Sequence, residues 1–393
     1  MSDEQLSPLR ICYLISYFHP FESGAERQAL AQGTELVRQG HSVQVVTHAM
    51  PGVPGEEVVR GIEVHRWIRS SKRGRLFAVT FVASALQSLR RLRGSYDVIH
   101  THQALWEAVA TAVARSGLIR GAPTVVQPAS SRRFGEAEEL LRTGGASVWR
   151  RLLLRNDAFV AISADIERQW LDLGVPPQRM TRIASGVDER HFAPGPSTLE
   201  NVLPPRPRVM FTGRLHPQKN LDVLIDAWPA VARATAAHLI LVGHGPERGR
   251  LEERARQAGV SDHVQFLGAV EDPADALRAA DLFVLPSVAE GMSNSLLEAM
   301  ATGLPCVASD IGGNEDLLES ESGVLVKTGT AERWAEELIA LLRDNDRRRT
   351  LGTRARSRID REFALEKVVA RYVELYQRLI QLHKRRKGFR SPT

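Results

Sequence analysis

The sequence predicts an α/β protein built of two doubly wound, parallel-sheet domains. Strand-length apolar runs alternate with amphipathic helical stretches from end to end, the pattern of parallel sheets covered on both faces. At 393 residues the chain is too long for one comfortable core. Near its middle lies Phe192-Ala193-Pro194-Gly195-Pro196-Ser197-Thr198, followed by Leu203-Pro204-Pro205-Arg206-Pro207. So much proline and glycine continues neither a helix nor a strand and marks a linker.

Strands are expected in the first half near Ile11–Ser16, Ser42–Thr47, Val98–His100, Pro123–Gln127, Ala158–Ile162 and Met180–Ala184. They recur near Arg208–Gly213, His238–Gly243, His263–Phe266, Leu282–Leu285, Pro305–Ala308 and Gly323–Val326. The segment from Phe363 to Leu382 carries Val368, Tyr372, Leu375 and Leu379 at helical spacing. The expected domains are therefore 1–195 and 196–362, with a helix and basic tail over 363–393. Ligands bind such sheets at the C-terminal ends of their strands.

Apolar content of 43% and charged content of 25% are those of a globular protein. Cys12 and Cys306 both lie in apolar strand-like runs, so they read as small core residues in a reducing compartment. The first residues lack a signal-peptide core, and no run of about 18 apolar residues occurs. A cytoplasmic protein is expected.

The most informative stretch is 281–299, an apolar strand, a glycine turn and a helix start flanked by Glu290 and Glu298. The peptide N–H groups of Gly291, Met292, Ser293, Asn294 and Ser295 converge there, and a helix start is an anion site. At ~1.5 Å per helical residue, the step between the two glutamates spans at most about 12 Å. That suits a diphosphate on the amides with a hydroxylated ring at either end, the shape of a nucleotide-sugar. The segment taken alone also fits an ordinary strand–turn–helix with two surface glutamates.

This stretch resembles the retaining glycosyltransferases of family 4, which carry two glutamates at this spacing in a GT-B fold. Phe211-Thr212-Gly213-Arg214-Leu215 with Lys219-Asn220-Leu221, and Leu241-Val242-Gly243-His244-Gly245-Pro246, are similar to the family's next motifs. So are Ser23-Gly24-Ala25-Glu26-Arg27 and Asp97-Val98-Ile99-His100-Thr101-His102 near the N-terminus. The motifs occur in the family's order over nearly the whole chain. The resemblance implies a GT-B fold: two Rossmann-like domains facing across a cleft that closes over the donor, with a C-terminal helix crossing back to the first.

It also implies roles. Arg214 and Lys219 take the donor diphosphate, a fork of donors and a point charge suited to a leaving group whose charge rises. Glu290 takes the donor sugar's hydroxyls and Glu298 those of the ribose, each accepting from a vicinal diol. Val270 brings backbone against the nucleobase or is simply a core valine. Gly24 lets backbone approach the phosphates. Glu26 and Arg27 read equally well as first-turn surface charges. Alternation places His100 and His102 on one strand face; the resemblance gives His102 to the donor sugar and leaves His100 a packing role.

A double displacement needs a carboxylate opposite the leaving group. Asp97, at the start of its strand, and Glu107, on a following helix, do not stand out, so the front-face mechanism usual for the family is expected. In an inverting reaction His102 would be the base. The chain departs from the family at Ser23, where two glycines are common, at Ser185 before Gly186-Val187-Asp188, where asparagine is common, and at Gln127-Pro128, where a strand often ends in His-Gly. The last lies on the acceptor side of the cleft.

Net charge is +6, but residues 60–155 hold 17 Lys and Arg against 6 Asp and Glu. Arg66, Arg69, Lys72, Arg73 and Arg75 lead into Leu76–Val82, and Arg132, Arg133, Arg150, Arg151 and Arg155 follow. Basic clusters interleaved with apolar residues suit an anionic membrane surface, to which Lys384-Arg385-Arg386-Lys387-Gly388-Phe389-Arg390 would add; a solvated charged face fits as well. Nucleic-acid binding is not expected, because zinc spacing, an aromatic strand face and a basic recognition helix are all missing.

The sequence thus reads as a metal-independent retaining transferase without cofactor, moving sugar from a UDP- or GDP-sugar to a saccharide or lipid-linked acceptor in cell-surface polysaccharide or glycolipid synthesis. Its rivals are a GT-B epimerase or phosphorylase and a non-catalytic sugar-nucleotide-binding subunit.

Overall fold

The computed structural model describes residues 7–388 apart from 22, 72–73, 116–121, 131–134, 320 and 328. Two compact units emerge, one of residues 1–186 with 365–393 and the other of residues 187–364.

The first unit holds an eight-stranded sheet: β1 (Arg10–Leu14), β2 (Ser42–His48), β3 (Glu56–Val59), β4 (Ile62–Ile68), β5 (Val98–His102), β6 (Thr124–Gln127), β7 (Ala158–Ala161) and β8 (Met180–Arg182), in the order β3-β4-β2-β1-β5-β6-β7-β8. All neighbours are parallel except β3 and β4. That hairpin is absent from the sequence-based expectation. Its turn is Arg60-Gly61, both with positive φ, the backbone that a two-residue hairpin loop requires. Ile62, Val64, Arg66 and Ile68 point inward on alternate positions of β4, and the buried arginine hides the alternation.

Two apolar layers cover this sheet. One joins Ile11, Tyr13, Val43, Val45 and Val64 to the helix Gly24–Arg38 and to Val368, Tyr372 and Tyr376 of the helix Leu365–Gly388. The other joins Cys12, Leu14, Val46 and Ile99 to Phe81 and Ala85 of the helix Gly74–Arg91. Each large apolar side chain so buried contributes roughly 1.5–3 kcal/mol. Both cysteines are free and buried.

The second unit is a six-stranded parallel sheet of β9 (Arg208–Thr212), β10 (His238–Val242), β11 (Val264–Gly268), β12 (Leu282–Leu285), β13 (Cys306–Ser309) and β14 (Val324–Val326), ordered β11-β10-β9-β12-β13-β14. Cap residues fix where its helices start: Asp272 accepts from Ala274 N at 2.9 Å and Asp344 from Arg347 N at 2.8 Å.

The division between units falls at Gly186/Val187 and Ala364/Leu365, not at 195/196 and 362/363. Hydrogen bonds explain the difference. Val187 N donates to Phe363 O at 3.0 Å, and Val187 bridges Ala364. Arg356 Nη1 donates to the carbonyls of Glu189 and Phe192, and Arg278 to those of His191 and Ala193. The proline-rich stretch is likewise tied to the second unit, since the buried Arg208 guanidinium binds the carbonyls of Glu200, Leu203 and Pro204. Ala364 N reaches Ile359 O at 2.8 Å across a wide turn, after which the last helix begins.

Candidate functional site

In the second unit the chain leaves β9 through Gly213-Arg214-Leu215 and turns at Pro217–Lys219 before the helix Asp222–Thr235. His216 Nδ1 accepts from Gln218 N and caps that turn. Burial first, then the charge of Arg214, holds the His216 imidazole below its ordinary pKa. Arg214 is exposed at this strand end.

The loops after β9, β10 and β11 are stitched together by backbone. Gly213 N donates to Val242 O, Leu215 N to His244 O and Gly243 N to Gly268 O. A Cβ on Gly243 would lie 1.9 Å from Gly213 O, and one on Gly245 would lie 2.0 Å from Leu215 O. Side chains are excluded there, and Gly243 also has φ +135°.

The loop after β12 comes to the same edge. Val288 N donates to Gln218 O at 2.9 Å and Gln218 Nε2 to Ala289 O at 2.8 Å. Lys219 Nζ then lies 2.6 Å from Glu290 Oε1. Ser293 caps the helix Asn294–Ala301 by accepting from Leu296 N. Gly291, Met292, Ser293 and Ser295 are buried, Asn294 is half-buried, and Glu290 and Glu298 are 8% and 7% exposed. Two buried carboxylates beside a helix start and an ammonium form a polar site set into a hydrophobic sheet edge.

Sequence reasoning missed two features here. A Cβ on Gly313, in the helix Gly312–Leu318, would sit 2.2 Å from Gly291 O, so this glycine lets the β13 loop press on the glutamate turn. The hydroxyls of Thr212, the last residue of β9, and of Ser287, past the end of neighbouring β12, are buried without a partner among the described residues. Val270 is half-buried just past β11, so it is no core valine.

In the first unit Gly24 opens the helix Gly24–Arg38. Glu26 is buried and accepts from Ser23 Oγ, which corrects its reading as a surface charge. Gln28 Nε2 donates to Gly186 O at 2.8 Å, joining the glycine loop to the Ser185-Gly186 motif. β5 extends to His102, whose ring is 1% exposed and stacked on His100 at 4.3 Å. Neither ring nitrogen of His102 has a hydrogen-bond partner among the described residues. Burial pushes its pKa down to about 3, so it is neutral. Gln103 follows with φ +125°, a strained backbone at the strand end.

Glu107, set aside above, is 2% exposed and accepts from Ser16 Oγ past the end of β1. Burial pushes its pKa up to about 7. The helix Trp106–Ala114 starts directly after β5, so its first turn lies inside the fold. Asp97 pairs with Arg10, whose guanidinium holds it below the usual carboxylate range. Gln127 is engaged by Tyr372, whose hydroxyl donates to Oε1 at 2.8 Å.

The basic face also needs correction at Arg66, which is buried and binds Glu57 and the carbonyls of Pro54 and His19. Arg69, Arg150, Arg151 and Arg155 are exposed, as are Leu76, Val79 and Val148, while Phe81 is in the core. Lys72, Arg73, Arg132, Arg133, Phe389 and Arg390 lie outside the described residues, as do the side chains of Arg75, Arg386 and Lys387. Among the described residues no helix is long and apolar enough to cross a membrane.

A profile described as Glycosyltransferase Family 4 matches residues 23–191, and one described as Glycosyl transferases group 1 matches residues 206–344. A D-inositol 3-phosphate glycosyltransferase of Nocardia farcinica is 30% identical over 365 residues, covering 84% of this chain and 80% of its own. The chain belongs to the family 4 glycosyltransferases. A phosphatidyl-myo-inositol mannosyltransferase of Mycobacterium leprae is 28% identical and is covered over 88% of its length. Among solved structures, Anabaena HepE in complex with UDP superposes with a TM-score of 0.76 at 21% identity, covering 94% of this chain and all of the other. A sucrose-phosphate synthase from Thermosynechococcus elongatus gives 0.79 at 23%. The fold of this glycosyltransferase is GT-B.

Proposed function

We propose that this glycosyltransferase is a retaining, metal-independent enzyme that moves a sugar from a UDP- or GDP-sugar to a saccharide or lipid-linked acceptor. The observation that carries this reading is the Lys219–Glu290 pair at the mouth of the helix Asn294–Ala301. An ammonium has three donors, so Lys219 keeps Glu290 and still meets a phosphate oxygen. Arg214 adds a second cation, and the helix start adds amide dipoles. Together they stabilise the nucleoside diphosphate as the bond from its oxygen to the anomeric carbon breaks. The acceptor oxygen bonds to that carbon on the face the diphosphate leaves, and its proton passes to the departing phosphate. Glu290 orients the sugar and Glu298 the ribose, Gly24 and Val270 offer backbone to the donor, and His102 serves the sugar.

The relatives named above act on inositol phosphate and phosphatidylinositol, which supports a hydroxylated acceptor in glycolipid or cell-surface polysaccharide synthesis. Exposed Arg150 and Arg151 beside exposed Val148 support transient docking on an anionic membrane face from the cytoplasm. NMR of the product's anomeric proton tests the stereochemistry: retention in the presence of a chelator is expected, and inversion sinks the mechanism.

A further inference from the structure

The last helix places two phenols, one turn apart, against two neighbouring central strands of the first unit. Tyr376 shares a 2.6 Å hydrogen bond with His100 Nδ1, and Tyr372 donates to Gln127. Gln127 sits opposite His102 in the β5–β6 register, and Tyr13 sits opposite His100 in the β1–β5 register. All of these side chains are buried. Leucine or phenylalanine would fill such a core without the cost of desolvating a polar group, so each phenol needs its hydrogen bond.

His102 is held differently. It has ring contacts on two sides, His100 stacked at 4.3 Å and 27°, and Tyr13 edge-on at 4.4 Å and 70°. The final torsion of a histidine is broad and roughly two-fold. With no partner for either nitrogen among the described residues, hydrogen bonding does not hold the plane of the ring. The neighbouring rings must do so, and of those the His100 ring is itself pinned by the 2.6 Å bond to Tyr376.

We propose that Tyr376 is a positioning residue for the transfer reaction: its hydroxyl fixes the His100 ring, and the stacked His100 ring fixes the orientation of His102 at the end of β5. The last helix is thereby part of the machinery that presents His102, in addition to completing the hydrophobic layer of the first unit. The inference rests on the reading that His102 serves the donor sugar, and it adds a residue 274 positions away in sequence (376 − 102).

Two variants remove the same bond from opposite sides. Tyr376→Phe keeps the ring of the helix, and His100→Phe keeps an aromatic plane against His102. In the full chain labelled with 15N-histidine, both are expected to move the ring-nitrogen resonances of His102, assigned by their loss in His102→Ala. Unmoved His102 resonances in either folded variant overturn the proposal. Release of nucleoside diphosphate from UDP-glucose and GDP-mannose supplies the second readout. Tyr376→Phe should lower kcat on the order of 10- to 100-fold with the donor KM little changed. Added to His102→Ala, it should cost nothing further. An equal loss on both backgrounds means that Tyr376 acts on something else, and overturns the proposal. Full turnover by His102→Ala instead removes the role of His102 itself, an outcome separable because the resonance shifts would persist.

Discussion

Lys219 and Glu290, 71 residues apart in sequence, meet at 2.6 Å between the loops that follow β9 and β12. The two strands are neighbours in the sheet, so the pair is fixed by strand order. Their side chains are only 17% and 9% exposed, which makes the contact far more consequential than a surface ion pair.

Replacing Lys219 by Met leaves a buried carboxylate without its cation. Turnover should fall on the order of 100- to 1,000-fold, and urea unfolding should show a loss of roughly 3 kcal/mol. Lys219→Met with Glu290→Gln should recover most of the stability and none of the turnover. A double variant as unstable as the single one would mean that the pair is not what holds these loops.

Gly243→Ala should destabilise by at least about 2 kcal/mol, because the added methyl meets Gly213 O at 1.9 Å in a backbone of φ +135°. Gly40→Ala is the control. It has φ +87° and open space around the new methyl, so it should cost only about 1 kcal/mol. Midpoints of urea unfolding for the two variants check the difference.

Glu107 gives the fold a pH dependence with a definite sign. Its pKa rises from 4.5 to about 7 on burial, so the folded chain holds a proton that the unfolded chain has released. Its contribution is fully present below about 4.5 and is lost as pH rises through about 7. The loss is on the order of 3 kcal/mol. Glu107→Gln keeps an acceptor for Ser16 and should show a flatter unfolding profile between about pH 4.5 and about 7. A variant with the wild-type slope would place the titration elsewhere.

Membrane docking is checked with vesicles of phosphatidylglycerol at low salt. Each basic residue near an anionic surface contributes about 1 kcal/mol. Arg150→Glu with Arg151→Glu should therefore weaken co-sedimentation on the order of 30-fold or more, and added salt should weaken wild-type binding as well. Wild-type protein that stays in the supernatant at low salt contradicts the docking.

Local pattern made much of this legible. Twelve apolar runs read as strands, and all coincide with strands of the two sheets; most of these are buried on both faces and so are apolar throughout. The hairpin of β3 and β4 was not legible. Arg66 interrupts its alternation with a charge that Glu57 pairs and that two carbonyls accept from. Glu107 is hidden for a related reason: a carboxylate in a helix reads as surface unless the neighbouring layer is known.

By itself the sequence determined the two-unit α/β architecture, the strand positions and the family motifs, since all of these are written in residues close together along the chain. The tertiary structure alone decided that Lys219 holds Glu290, that Tyr376 reaches His100 and that Glu107 is buried beside Ser16. Crossovers in a parallel sheet make neighbours of strands far apart in sequence, and burial then sets the charge and hydrogen bonding of what meets there.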